Sequence, residues 1–392
     1  MTITDNPKSQ LNKLLDVVIR QKIPFASYRL PDEKDVITIV QHHGEVATIT
    51  PNTQFHEKQG FVISPFDNKQ NSGFLLNPDC VYFNDDIDDI FIQKLSNNTT
   101  FINLKKNNPV TFETSTLEEY TGNVSQAVEC IKNGEFNKVV ISKIQKNKLP
   151  ENFNPPRFYE NLRKKYPHAM VYLLQIPGVG FWAGATPEPL LVHEQDKIRT
   201  VSLAGTQIAA GKKIQDYVWS SKEIEEQGIV TKFVEDSLIQ SGIKDFIKNG
   251  PSNEQAGNLI HLKTAFEFSE KDLNISLNDL LNKLHPTPSV GGLPKAEAFD
   301  FITRHEKHYR TFYSGYLGPV NIQDKTNIFV NLRCVQLFDK EFVLYSGAGI
   351  TASSIPEKEW EETENKMKTM LNVFIPPNIK KNHENSQCND KI

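Results

Sequence analysis

Chemistry needs ionisable side chains on a shared face, and two segments of this 392-residue chain place carboxylates that way. In WSSKEIEEQGIVTKFVEDSL, Glu226 stands four residues before Val230 and seven before Phe233, on or beside the apolar stripe of a helix. In EWEETENKMKTML, Glu359, Glu362 and Lys366 fall at i, i+3 and i+7, on a face next to the stripe of Trp360, Met367, Met370 and Leu371. If the two helices approach, Glu226 and Glu362 offer hard oxygen ligands to Mg²⁺, an ion that takes few protein carboxylates and completes its shell with water and an anionic substrate. The same spacing also describes solvated helix faces carrying i,i+4 ion pairs.

Lys138 opens a β-branched strand in which Val140, Ser142 and Ile144 share its side, so its amine either reaches the interior, where it can serve as a general base, or stays in water at a strand edge. Glu188 in GATPEPLL follows a proline that a central strand excludes, which predicts a strand end or bulge beside a pocket and an acid or a solvated carboxylate there. SLAGT (Ser202–Thr206) and SGAGI (Ser346–Ile350) each end a predicted strand, where small residues let a ligand approach backbone N–H groups or simply make a turn. Arg333 in NLRC reads as a central-strand cation, and a buried guanidinium needs a carboxylate from the protein or from a ligand. Neither glycine stretch matches a nucleotide-binding GxGxxG or GxxxxGK[ST] pattern.

The elements that must hold these groups follow from periodicity. LNKLLDVVIR predicts a short helix, followed by strand-like ITIVQHH, VATITP and GFVISPF. Helical spacing covers 117–134 and ends at a glycine suited to a C-cap, a strand covers 138–144, and a second helix covers 156–165. AMVYLLQIPG, GVGFWAGATPEPLLVHE and KIRTVSLAGT read as consecutive strands of one sheet, and IFVNLRCVQLFDKEFVLYSG as a hairpin turning near Asp339 and Lys340. Long amphipathic helices near 218–240 and 358–373 interrupt a mainly antiparallel core.

Composition narrows the function classes. Lys and Arg number 44 against 48 Asp and Glu, a formal charge of -4 with no basic block, which argues against a nucleic-acid partner. The scattered Cys80, Cys130, Cys334 and Cys388 form no CxxC pair, which fits a reducing cytoplasm. No apolar run approaches the roughly 20 residues of a membrane span, and the first residues lack the pattern of a secretory signal. Hydrophobic residues make up 38% of the chain, with 24 Phe, enough for a core that keeps water from a site.

Taken in order, KVVISK, GATPEPLL, LAGT, SSKEIEEQ, HLKT, LHPTPSVGGLP, NLRC, YSGAGI and EWEETENK resemble the chorismate-binding enzymes, from about Leu117 to Phe374. The resemblance implies an α/β (α+β) fold: a single large unit of two stacked, mainly antiparallel sheets flanked by outer helices, with the site between the sheets. It divides the chain into a divergent N-terminal part of the fold (1–110), a catalytic region (111–376) and a disordered tail (377–392). It makes Lys138 the base that activates water and Glu188 the acid that protonates the departing C4 hydroxyl of chorismate. It makes Glu226 and Glu362 ligands of Mg²⁺, with Glu359 supporting the metal shell. Chorismate would be held by Arg333, Lys366 and the segments at Ala204, Gly205, Thr206, Gly347 and Gly349, with His261 and His285 nearby.

Within the resemblance, two positions select the nucleophile. Ammonia-using relatives carry Gln where this chain has Lys138, and aminodeoxychorismate enzymes carry a nucleophilic lysine where it has Ala204. Isochorismate synthesis, for menaquinone or a siderophore, is therefore expected from a cytoplasmic monomer. Salicylate synthase and a catalytically silent binding subunit are the rivals. The helix motif departs from the family's usual pattern by placing Glu223 for aspartate and Gln227 for histidine.

Overall fold

A computed structural model describes residues 9–97, 112–209, 211–257 and 259–374. The boundary expected at residue 110 and the tail expected from residue 377 lie outside them. Two nine-stranded sheets form the molecule, and every strand pair among the described residues is antiparallel. The first sheet runs, in spatial order, Gly292–Leu293, Lys138–Lys148, Glu341–Ile350, Cys334–Leu337, Gly180–Thr186, Met170–Ile176, Phe25–Arg29, Ile37–Val40 and Cys80–Phe83. The second runs Ile247–Ala256, Leu259–Ser269, Lys197–Ile208, Pro189–Glu194, Lys325–Val330, Tyr316–Val320, Gly60–Ser64, Gly73–Leu76 and Ala47–Ile49. The first hundred residues thus supply three strands to each sheet.

A layer between the sheets contains Tyr28, Phe61, Tyr172, Trp182, Phe329 and Tyr345, drawn from both. Burying such rings contributes about 1.5–3 kcal/mol each, which is what clamps the sheets face to face. The outer faces are covered by helices. Leu14 and Leu15 of Gln10–Arg20 and Met367 and Met370 of Pro356–Phe374 lie on the first sheet, and Val234 and Leu238 of Ser221–Gln240 on the second. The helix Leu117–Lys132 starts on a Thr116/Glu119 capping box and stops before Gly134, whose φ of 80° suits the glycine position the spacing predicted.

Two expectations change where the chain crosses between sheets. The run from 170 to 204 is not one sheet: Met170–Ile176 and Gly180–Thr186 belong to the first, Pro189–Glu194 and Lys197–Ile208 to the second. Pro187 and Pro189 have no N–H for a ladder, so the strand breaks around Glu188 and changes layer. The hairpin near Asp339 is present between Cys334–Leu337 and Glu341–Ile350, but IFV belongs to the second sheet. Arg333 is therefore a crossover residue with φ 47°, not a central-strand one. SLAGT likewise sits inside Lys197–Ile208, at a register shift between Ala204 and Gln207, while SGAGI does end its strand.

Candidate active site

The two crossovers lie side by side, and that fixes the site. Val330 N–H donates to the Glu188 carbonyl (2.9 Å), Ala185 N–H to the Arg333 carbonyl (3.0 Å), and the Thr186 hydroxyl to the Val330 carbonyl (2.5 Å). Glu188 and Arg333 consequently face one pocket between the sheets, along with Ala204, Gly205, Thr206, Glu226, His261, Gly347, Gly349 and Lys366. Its volume is only about 50 Å³. Pro187 and Arg333 also line an outer cavity of about 430 Å³ with Lys165, His168 and Thr369, so the inner pocket has an antechamber large enough for a small ligand.

Each charged group has a definite partner. Lys138 is wholly buried at the start of its strand, and its ammonium lies 2.9 Å from Glu226 Oε1. Gly349 permits this: a Cβ there would collide with the Glu226 carboxylate and stand 3.0 Å from Lys138 Cε. Glu188 is also buried, and burial pushes its carboxyl up to about 7 despite the opposing pull of Lys138, Arg333 and Lys366 and a hydrogen bond from Ser289. A glutamic acid in that range holds a proton near neutrality and can give it up.

His261 is buried and neutral, since burial and Arg333 push it down to about 3. Its Nδ1–H donates to the Gly205 carbonyl (2.7 Å), leaving Nε2 to accept from Arg333 Nη2 (3.3 Å). The ring therefore aims the guanidinium. Gly205 adopts φ 68°, a conformation glycine tolerates, and this turns its carbonyl toward the histidine at the irregular point of the strand.

The three carboxylates expected to hold a metal come from two helices, and each grips one lysine. Glu226 holds Lys138, Glu359 holds Lys222 (2.6 Å), and Glu362 holds Lys366 (2.6 Å), which also donates to the Gly347 carbonyl (2.9 Å). Lys222 is raised to about 12: burial lowers it, but Glu359, Glu362 and Glu226 together more than offset that. One ammonium thus sits within the field of all three acids. Burial raises Glu359, and its buried Oε2 has no hydrogen-bond partner among the described residues. For Glu362, burial is outweighed by Lys366, Lys222 and Arg333, which hold it below the usual carboxylate range. Three carboxylates are the donor class that a hard divalent ion takes, but each is drawn to its own lysine and, among the described residues, the three do not close into one cluster of ligand atoms.

One residue expected nearby falls elsewhere. His285 is buried with its ring edge-on to Tyr316 (5.1 Å) and does not line the pocket; burial and Lys295 push it down to about 3. The expectation came from the resemblance that LHPTPSVGGLP carries, and from that stretch it is Ser289 and Val290 that reach the site. Sequence reasoning passed over Lys222 and Ser289. Lys222 stands four residues before Glu226 on one helix face, a spacing that could have paired them.

Residues 66–375 match the family described as chorismate binding enzyme, and the chain belongs to that family. It is 29% identical over 258 residues to the salicylate biosynthesis isochorismate synthase of Pseudomonas aeruginosa, covering 64% of this chain and 54% of that protein. It is 27% identical over 288 residues to anthranilate synthase component 1 of Aquifex aeolicus, covering 70% of this chain and 57% of that protein. The match thus spans little more than half the length of these relatives. The crystal structure of a 2,3-dihydroxybenzoate-specific isochorismate synthase, DhbC, from Bacillus anthracis superposes with a TM-score of 0.73 at 22% identity, covering 93% of this chain and 99% of that one, and shares the fold. No helix among the described residues is long and apolar enough to cross a membrane.

Proposed function

We propose that the chain is an isochorismate synthase that adds water at C2 of chorismate and expels the C4 hydroxyl, with Mg²⁺ bound by Glu226, Glu362 and Glu359. One observation carries the reading: a wholly buried lysine paired with Glu226 lies behind a pocket that Glu226 lines together with Glu188, a glutamic acid that retains its proton near neutrality. Relatives named isochorismate synthase and relatives named anthranilate synthase match this chain almost equally, so the choice of water as nucleophile rests on Lys138.

In the proposed reaction the Lys138 amine takes a proton from water as the new C2–O bond forms. The ring double bond shifts, the C4–O bond breaks, and Glu188 gives its proton to the leaving oxygen, so water enters and water departs. Arg333, aimed by His261, and Lys366 supply cations for the substrate carboxylates. Bound Mg²⁺ would hold the ring carboxylate and offset the charge that develops during displacement. Neutralising Glu226, Glu359 and Glu362 by other means releases Lys138, Lys222 and Lys366 from their present partners, and an amine free of Glu226 is the one able to act as a base.

The test is product identification from chorismate and Mg²⁺, with ammonium supplied in competition with water. Isochorismate alone is expected. Salicylate fluorescence without an added lyase would make the chain a salicylate synthase, an aminated product would overturn Lys138 as the selector, and absence of turnover would leave a binding subunit.

A further inference from the structure

The sequence ITIVQHH leaves two adjacent histidines that the active site does not use, and the fold brings an aspartate to them. Asp79 precedes the strand Cys80–Phe83, which pairs with Ile37–Val40, and its own N–H donates to the Val40 carbonyl (3.1 Å). Asp79 Oδ2 accepts the backbone N–H groups of His42 (2.6 Å) and His43 (2.7 Å). The two bonds take both in-plane lone pairs of Oδ2, which fixes the carboxylate and leaves Oδ1 as its free donor to a cation. Both imidazoles turn toward the carboxylate: His42 Nδ1 and His43 Nδ1 each lie 3.5 Å from Asp79 Oδ2.

The ring of His42 is held edge-on against Phe91 (5.6 Å), and its buried Nδ1 has no hydrogen-bond partner among the described residues. Gln41 braces the turn, accepting from Asn77 N–H (2.9 Å) and donating to the His43 and Glu45 carbonyls. The three potential ligand atoms lie within 4.8 Å of one another. Bonds of about 2.0–2.2 Å to zinc in a tetrahedral shell put neighbouring donors roughly 3.4 Å apart, so both histidine–carboxylate spacings of 3.5 Å suit it and the set as a whole need only draw in from within 4.8 Å. Two imidazole nitrogens and one carboxylate suit a borderline ion such as Zn²⁺ and disfavour Mg²⁺.

We infer that His42, His43 and Asp79 form a site for a zinc-class divalent cation that clasps the edge of the first sheet. It is independent of the catalytic pocket. The strand carrying Lys138 is second in that sheet and Ile37–Val40 is eighth, six spacings of about 4.8 Å or roughly 29 Å away. With His43 mostly exposed, the clasp keeps coordination positions open to water or to a further ligand.

The experiment uses the full untagged chain. In Glu226→Gln/Glu362→Gln, whose catalytic acids no longer offer a competing site, Zn²⁺ titration calorimetry is expected to give one bound ion, and adding His42→Ala or His43→Ala is in each case expected to weaken it at least about tenfold. Cu²⁺ added as a probe should show imidazole nitrogen hyperfine coupling in its paramagnetic resonance spectrum, a signature that an all-carboxylate site cannot give. Glu226→Gln/Glu362→Gln should bind Zn²⁺ at this site as the wild type does. Because His43 is exposed, its removal leaves the fold intact, and circular dichroism checks this. Unchanged Zn²⁺ affinity when His43→Ala and His42→Ala/His43→Ala are added to Glu226→Gln/Glu362→Gln, or a copper spectrum with oxygen coordination alone, would overturn the assignment.

Discussion

In the proposed reaction Lys138 and Glu188 do opposite jobs, and the surroundings of each side chain decide which. Lys138→Ala and Glu188→Gln are each expected to lower turnover of chorismate by at least about 10²-fold with an unchanged circular dichroism spectrum. The pH profile separates the two roles. Glu188, raised to about 7, donates only when protonated, so the rate should fall as pH rises through that value, and the residual activity of Glu188→Gln should lack this limb. Stability carries the same signature. With the folded value raised above the unfolded one, the native state binds the extra proton, so stability declines as pH climbs from about 4.5 to about 7. The decline is on the order of 3 kcal/mol. Denaturation measured at pH 5 and pH 8 should show it in the wild type and a smaller drop in Glu188→Gln.

At the scale of elements, the helix Ser221–Gln240 must keep one register against the second sheet for Glu226 to point inward. Gln227 supplies that register, its Nε2 reaching Ser202 Oγ (3.1 Å), the Ser202 carbonyl (3.3 Å), Thr231 Oγ1 (3.3 Å) and Thr264 Oγ1 (3.2 Å). Gln227→Leu is expected to cost about 1–3 kcal/mol in urea denaturation, because buried hydroxyls lose their donor. The strand Lys138–Lys148 is fixed differently. Arg310 donates to the Val140 carbonyl and to both oxygens of Glu306, and Glu306 in turn accepts Ser142 N–H. Glu306 and Arg310 are both buried, so Arg310→Met should cost about 3–5 kcal/mol by stranding the carboxylate.

For the molecule as a whole, Glu226 and the pair Glu359 and Glu362 come from two different helices and all act on Lys222, so an ion shared between them would tie those helices together. A metal that binds only the folded chain stabilises it by about 2.7 kcal/mol at a hundred times its dissociation constant. Mg²⁺ should therefore raise the melting temperature of the wild type, EDTA should reverse the rise, and Glu226→Gln/Glu362→Gln should abolish it.

Two residues of the pocket were marked by local pattern, Glu188 where Pro187 and Pro189 break a strand and Glu226 where helical periodicity sets it beside Val230, while the rest of the set followed from the family resemblance. The antiparallel fold was likewise legible from local pattern. Partnership was not. That Lys138 is gripped by Glu226, that Lys222 sits among three acids, that Arg333 turns between sheets and that His285 packs against Tyr316 depend on contacts between residues far apart in the chain. Local pattern determines which face a side chain takes, whereas the two crossovers between the sheets decide what it meets there.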